Sequence, residues 1–346
     1  MNDRFQALVY GTVFAVFVGW VLYIGQNIFI PIVFSVLVVY VIIGMTRFLA
    51  RIPKIGPALP MQVHYALSSL IIAGALAIVG WMVMNSINMM IEQAPHYQAS
   101  MVSMVQRGAI LVGIESEPSW PTIRQSVLDQ VNLQKMAGLI VLSLTSILAS
   151  LSVVGLYVAF LLLERGPFSK KIDKLSHDPD RVARIRRVIT DINGRIGTYL
   201  ALKTLLSVLL GFVSWIILKW MGVELAAFWA LLIGLLNYVP YIGSVLGVLF
   251  PVSFALLQFG DIKTVLILAM LLSVVQFLIG NLLDPFLMGN SLNLSPFMIL
   301  VSLTVWTALW GIPGAFLAVP VTACIVMILA EFEGTRPIAI LLSQKG

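Results

Sequence analysis

Apolar residues run in blocks of about twenty along this chain, and most polar residues fall in the gaps between them. A helical block of that length crosses a hydrocarbon core at about 1.5 Å per residue. The first block is Leu8 to Ile24; no small-residue cleavage site follows in Gly25-Gln26-Asn27-Ile28, which predicts a retained anchor. The second runs from Ile28 to about Phe48, with Pro31 in its first turn, where a missing N–H costs little. The third, Val63 to Ile91, exceeds what a bilayer needs and predicts a tilted or projecting helix. Residues 92–136 are polar, Met-rich and amphipathic, interrupted at Pro95 and at Pro118 and Pro121. They predict two short helices against the bundle or the membrane surface. A fourth span covers Ala137 to Leu163.

The stretch from Glu164 to Lys203 is the most charged in the chain. Asp178-Pro179-Asp180 reads as a helix start: an acidic cap, proline at the first helical position, and a second acid at the positive end of the dipole. Val182, Ile185, Ile189, Ile192, Ile196 and Tyr199 then recur every three or four residues, one apolar face with Arg181, Arg184, Arg187 and Arg195 around it. Such a helix lies along the membrane surface and leads into a fifth span, Leu202 to Trp220. Its arginines suit anionic lipid headgroups, although their use as an orientation signal suffices.

Beyond the fifth span the pattern changes. Residues 225–258 and 297–330 are nearly uncharged, but each is interrupted, and a sixth span, Thr264 to Leu283, lies between them. Asn237-Tyr238-Val239-Pro240-Tyr241-Ile242-Gly243 breaks the first and Gly311-Ile312-Pro313-Gly314 the second. Proline removes a donor and glycine permits reversal, so both predict re-entrant helical hairpins with tips meeting deep in the membrane. Unpaired backbone at that depth requires protein or water as partner. Spans five and six, each followed by a hairpin, start on opposite sides by parity and form an inverted repeat, the sequence pointer to a transporter's substrate site. The competing reading is packing kinks, with Gly243-x-x-x-Gly247 serving close helix contact. Candidate pathway residues are Asn237, Tyr238, Pro240, Gly243, Asn281, Gly311, Pro313 and Gly314. The two asparagines could equally cap broken helix ends. Asp284, at the end of the sixth span, is the candidate for ion coupling, or else a solvated helix end. Glu164 carries the same pair of readings, and Trp215, Trp220, Trp229, Trp306 and Trp310 read as interface or packing residues.

Composition agrees with lipid as the solvent: of 346 residues 60% are hydrophobic and 10% charged, against about 25% charged in soluble domains. The net charge of +6 sits in loops without interleaved aromatics, which excludes a nucleic-acid groove. With the N-terminus inside, 16 Lys and Arg fall on the cytoplasmic side and 5 outside, so both termini are expected in the cytoplasm of a bacterial inner membrane. A lone Cys324 and the scattered His64, His96 and His177 give no metal set. No phosphate-binding glycine loop or nucleophile–base pair is present, so neither an enzyme nor a resident cofactor is expected.

The run Tyr199-Leu200-Ala201-Leu202-Lys203 through Leu232 to Ser244, with Asn281-Leu282-Leu283-Asp284-Pro285 and Gly311 to Pro320, resembles the autoinducer-2 exporter family, the PerM-like proteins. Pro31 also matches, whereas residues 92–136 match only in general character; Gly44-Met45 and Pro313 depart from the usual pattern. The resemblance implies a homo-oligomeric multispan exporter of a small polar quorum-sensing signal or related solute; some members are associated with sodium–proton antiport. The expected architecture is all-α and polytopic, about six full spans plus the two broken hairpins. It divides into residues 1–91 as scaffold, 92–136 as an extracytoplasmic segment, 137–163 as the fourth span and 164–201 as the basic helix. A transport half, 202–335, and a tail, 336–346, complete it. Three functions compete: export of a small polar solute, cation/proton antiport through Asp284, and a non-transporting membrane scaffold.

Overall fold

A computed structural model describes residues 2–53, 59–111, 133–174, 177–288 and 292–344. Among them the chain is almost wholly helical: α1 (Asn2–Ile24), α2 (Gln26–Ala50), α3 (Met61–Leu111), α4 (Leu133–Ile172), α5 (Pro179–Trp220), α6 (Ala226–Leu236) and α7 (Ile242–Phe259). There follow α8 (Ile262–Phe277), a π-helical segment (Leu278–Leu283), α9 (Asp284–Met288), α10 (Pro296–Ala330) and α11 (Arg336–Leu342). Among the described residues seven helices are long and apolar enough to cross a membrane, and Val9–Ile24 and Ala226–Leu236 are shorter apolar helices. The molecule is a polytopic helical membrane protein.

Helix starts follow their local chemistry. The Asp178 carboxylate accepts the Asp180 N–H at 3.0 Å ahead of Pro179, as the sequence predicts, and α5 then continues without interruption to Trp220. Its arginines 181, 184, 187 and 195 are exposed while Ile196 and Tyr199 are buried. Asp261 caps α8 by accepting from the Thr264 hydroxyl and from the backbone N–H groups of Lys263 and Thr264. Those bonds, the hydroxyl's first, hold its carboxyl below the usual carboxylate range.

One expectation needs correction. The helix begun at Met61 does not stop near Ile91 or at position 95; it runs on to Leu111, 51 residues in all. A proline costs a helix about one hydrogen bond and a kink. In a stretch rich in Met, Gln and Ala, all good helix formers, the helix resumes. Pro118 and Pro121, where further breaks were expected, lie outside the described residues.

The chain divides into two compact units that cut across sequence order. One comprises Met1–Ser69, Ala149–Lys203 and Met288–Gly346. Its core joins Ile196, Tyr199 and Leu200 of α5 to Val319, Ala323 and Val326 of α10, with Leu294 and Ala339. Thr46 of α2 donates to Ser68 of α3 at 3.0 Å, and an antiparallel bridge pairs Leu294 with Ser343. The other unit comprises Leu70–Leu148 and Thr204–Leu287. Within it α5 and α6 pack backbone to backbone: a Cβ added at Gly211 would lie 3.0 Å from the Ala230 carbonyl oxygen, and one at Gly234 2.9 Å from that of Ser207. Small residues permit such approach where lipid supplies no hydrophobic drive between helices.

Candidate functional site: two folded-back helical hairpins

Both interrupted stretches double back on themselves. In the first, α6 ends at Leu236, and residues 237–241 turn through tight backbone bonds, Tyr238 N–H to Leu235 at 3.1 Å and Val239 N–H to Leu236 at 2.9 Å. Ile242 N–H then reaches the Pro240 carbonyl at 2.6 Å across Tyr241, whose φ of 60° and ψ of −59° form the rare, strained kind of γ-turn. Glycine completes the reversal. Gly243 is buried against the Leu236 carbonyl and leaves no room for a Cβ, while Gly247 rests on Ile233. Close helix contact at these glycines is thus the means by which this hairpin closes.

The second hairpin uses the same device inside α10. Only Gly311 leaves helical geometry, at φ 62° and ψ −140°, a region nearly reserved for glycine. Gly314 then abuts the Trp306 carbonyl with no space for a side chain. The Trp306 indole donates to Thr322 at 2.9 Å, sixteen residues on, which a straight helix would hold about 24 Å away. Pro313 is not itself the break: it falls in the first turn of the second arm, where its missing N–H is harmless. At 1.5 Å per residue the eleven residues of α6 span only about 16 Å, short for a crossing, while the eighteen of α7 reach about 27 Å.

Polar groups gather at the first tip. Asn237 is 7% exposed and its amide donates to Ser207 of α5 at 3.1 Å. The Tyr238 hydroxyl shares a 2.7 Å hydrogen bond with Thr204, one turn back on α5. Pro240 is half-buried and Tyr241 exposed. Thr204 and Ser207 were missed as candidates because they fall where the fifth span begins. Their signal was present, since Lys203, Ser207 and Ser214, all buried, stand at helical spacing along one face of α5. Asn281 lies on the π-helical segment with its side chain exposed, and half-buried Asp284 follows directly. π-turns recur at functional sites, and nothing in the sequence marked this one. Gly311 is exposed at the second tip, Pro313 half-buried and Gly314 buried.

At the end of hairpin one away from its tip, Tyr97 of α3 donates to Glu224 Oε2 at 2.6 Å. Burial first, then that bond and the carboxylate's charge, raise the phenol's pKa above its ordinary value. Gln258 of α7 accepts from the Glu224 N–H at 2.9 Å and donates to the Gly222 carbonyl at 2.8 Å, fixing the turn that enters α6.

The sequence profile of the AI-2E family transporters matches residues 12–334, which include both hairpins and all seven of the long apolar helices. This chain belongs to the AI-2E transporter family. Among similar proteins, one from Borreliella burgdorferi named "Putative transport protein" is 32% identical over 265 residues, 74% of this chain and 70% of its own. "AI-2 transport protein TqsA" of Escherichia coli is 30% identical over 270 residues, 75% of this chain and 74% of its own. "Putative transport protein YrrI" of Bacillus subtilis is 24% identical over 322 residues, 90% and 88% of the two chains. Membership makes this a transporter-family protein with multiple membrane passes.

Proposed function

We propose that the chain exports a small polar solute, autoinducer-2 or a related metabolite, across the bacterial inner membrane, and that its broken hairpins are the transport elements. The observation that carries this reading is the paired construction: two apolar stretches, each folded back at a glycine seated on a backbone carbonyl. Non-helical backbone among membrane spans is tolerated where protein or a water-filled cavity satisfies it, and matched breaks of this kind accompany substrate sites. The groups at the first tip, an amide, two hydroxyls and a phenol, are uncharged hydrogen bonders suited to a neutral polar solute. The likeness to the relative named for AI-2 transport, over three-quarters of both chains, supports the choice of solute.

The test is efflux from proteoliposomes holding the purified chain, loaded with autoinducer-2, with other polar metabolites, or with sodium under a proton gradient. Autoinducer-2 should leave well above the rate from empty liposomes, and Asp284→Asn should retain most of that flux. Sodium–proton exchange that collapses in Asp284→Asn, without solute flux, would install the antiporter reading instead. No flux of any kind would leave a membrane scaffold.

A further inference from the structure

Three tryptophans sit in hairpin arms, and their indoles are treated differently. Trp306 donates to Thr322 at 2.9 Å, and Trp310 donates to the Leu22 carbonyl at 2.9 Å, one of the carbonyls that the end of α1 leaves unpaired. Trp229, in the first turn of α6, is 8% exposed, yet its Nε1–H is buried with no hydrogen-bond partner among the described residues. Its ring is held firmly: Phe228 lies 5.1 Å away edge-on, Phe254 of α7 5.2 Å away, and Tyr97 packs on Phe254 at 5.3 Å. Packing alone therefore accounts for the ring but not for the nitrogen.

An indole can only donate, and native proteins seldom bury a donor without an acceptor. A resident water would need two to four polar partners, and the rings on Trp229 offer none. The geometry points to Trp229 Nε1–H as a solute-contacting donor, closed off in this arrangement of hairpin one and meeting an oxygen lone pair of the transported molecule when the arms part. This rests on the transport reading and sharpens its substrate class: the solute carries a carbonyl, hydroxyl or similar acceptor oxygen. A bare metal cation is excluded as the occupant at this point, because an N–H offers it no lone pair.

Trp229→Phe keeps one aromatic ring and removes the donor together with the five-membered ring that carries it. In the efflux assay, read at several autoinducer-2 concentrations, it should raise KM about tenfold, the worth of one hydrogen bond of ordinary strength. Trp215→Phe, whose indole lies under the Lys219 ammonium, should leave KM unchanged. Thermal unfolding of Trp229→Phe is read beside the flux, because the substitution removes an unpaired buried donor but also the packing of the five-membered ring, and KM is compared only between folded proteins. In unaltered protein with 15N-labelled indoles, autoinducer-2 should shift one indole N–H resonance. Efflux by the unaltered chain with KM unchanged in Trp229→Phe, or no indole shift, overturns this assignment alone. Absence of efflux from the unaltered chain overturns the transport reading and this assignment together.

Discussion

A single methyl group added at Gly243 or at Gly314 is expected to cut solute efflux at least tenfold and to lower the unfolding temperature. A Cβ at either position would drive into a backbone carbonyl, that of Leu236 or of Trp306. Backbone cannot step aside as a side-chain end can. Overpacking costs about 1–3 kcal/mol even where side chains yield. The arms would have to separate, and the second hairpin would then lose the Trp306–Thr322 bond that joins them. Gly311→Ala fails for a different reason. Its surroundings are open, but φ 62° with ψ −140° is glycine territory, worth about 1–3 kcal/mol of strain in any other residue. Gly74→Ala and Gly155→Ala, helical positions with nothing within 4 Å, serve as controls and should be neutral or slightly stabilising. Thermal unfolding in detergent, run beside the efflux assay, reads all five.

Asn237→Leu carries the second large effect. The amide it deletes is buried and is the partner of the Ser207 hydroxyl, so leucine leaves that hydroxyl without its donor at a cost of about 1–3 kcal/mol. Ser207→Ala removes the other half of the pair but leaves the amide in place at the tip. If Asn237 serves only to close the hairpin, the two substitutions should damage efflux equally. If the amide also meets solute, Asn237→Leu should lose about tenfold more efflux than Ser207→Ala at comparable unfolding temperatures, and that is the outcome expected. The double variant should be less impaired than the sum of the two, since the side chains touch.

The spans could be read from the sequence because run length and the absence of charge are set by lipid, and neither depends on distant contacts. The hairpins were legible too: Pro240 with Gly243, and Gly311 with Gly314, mark places where a helix cannot simply continue. Proline misled at position 95, where it was read as a terminator and the helix carried on to Leu111. At Pro313 it marked the start of an arm, not the break. The division into two units was not legible, because it brings residues near 40, 200 and 320 into one body through packing between remote segments. At the candidate site, Asn237 and Tyr238 were visible as polar residues at a break, but their partners on α5 were hidden among ordinary span residues. Trp229 shows the limit most clearly. A missing hydrogen bond is a property of the folded surroundings, and no pattern of residue types records it.

The account depends most on the hairpin tips facing water rather than lipid. Cys324 is the chain's sole cysteine, so Cys324→Ser supplies a background for single cysteines at Tyr241 and Ile312, both exposed at the breaks, and at Met270, exposed in mid-α8. A membrane-impermeant thiol reagent is attacked by the thiolate, which forms only where water reaches the sulfur. In vesicles, Tyr241→Cys and Ile312→Cys should react readily and be slowed by autoinducer-2, while Met270→Cys stays silent. Tips as unreactive as position 270 would place both breaks in hydrocarbon and contradict the solute path.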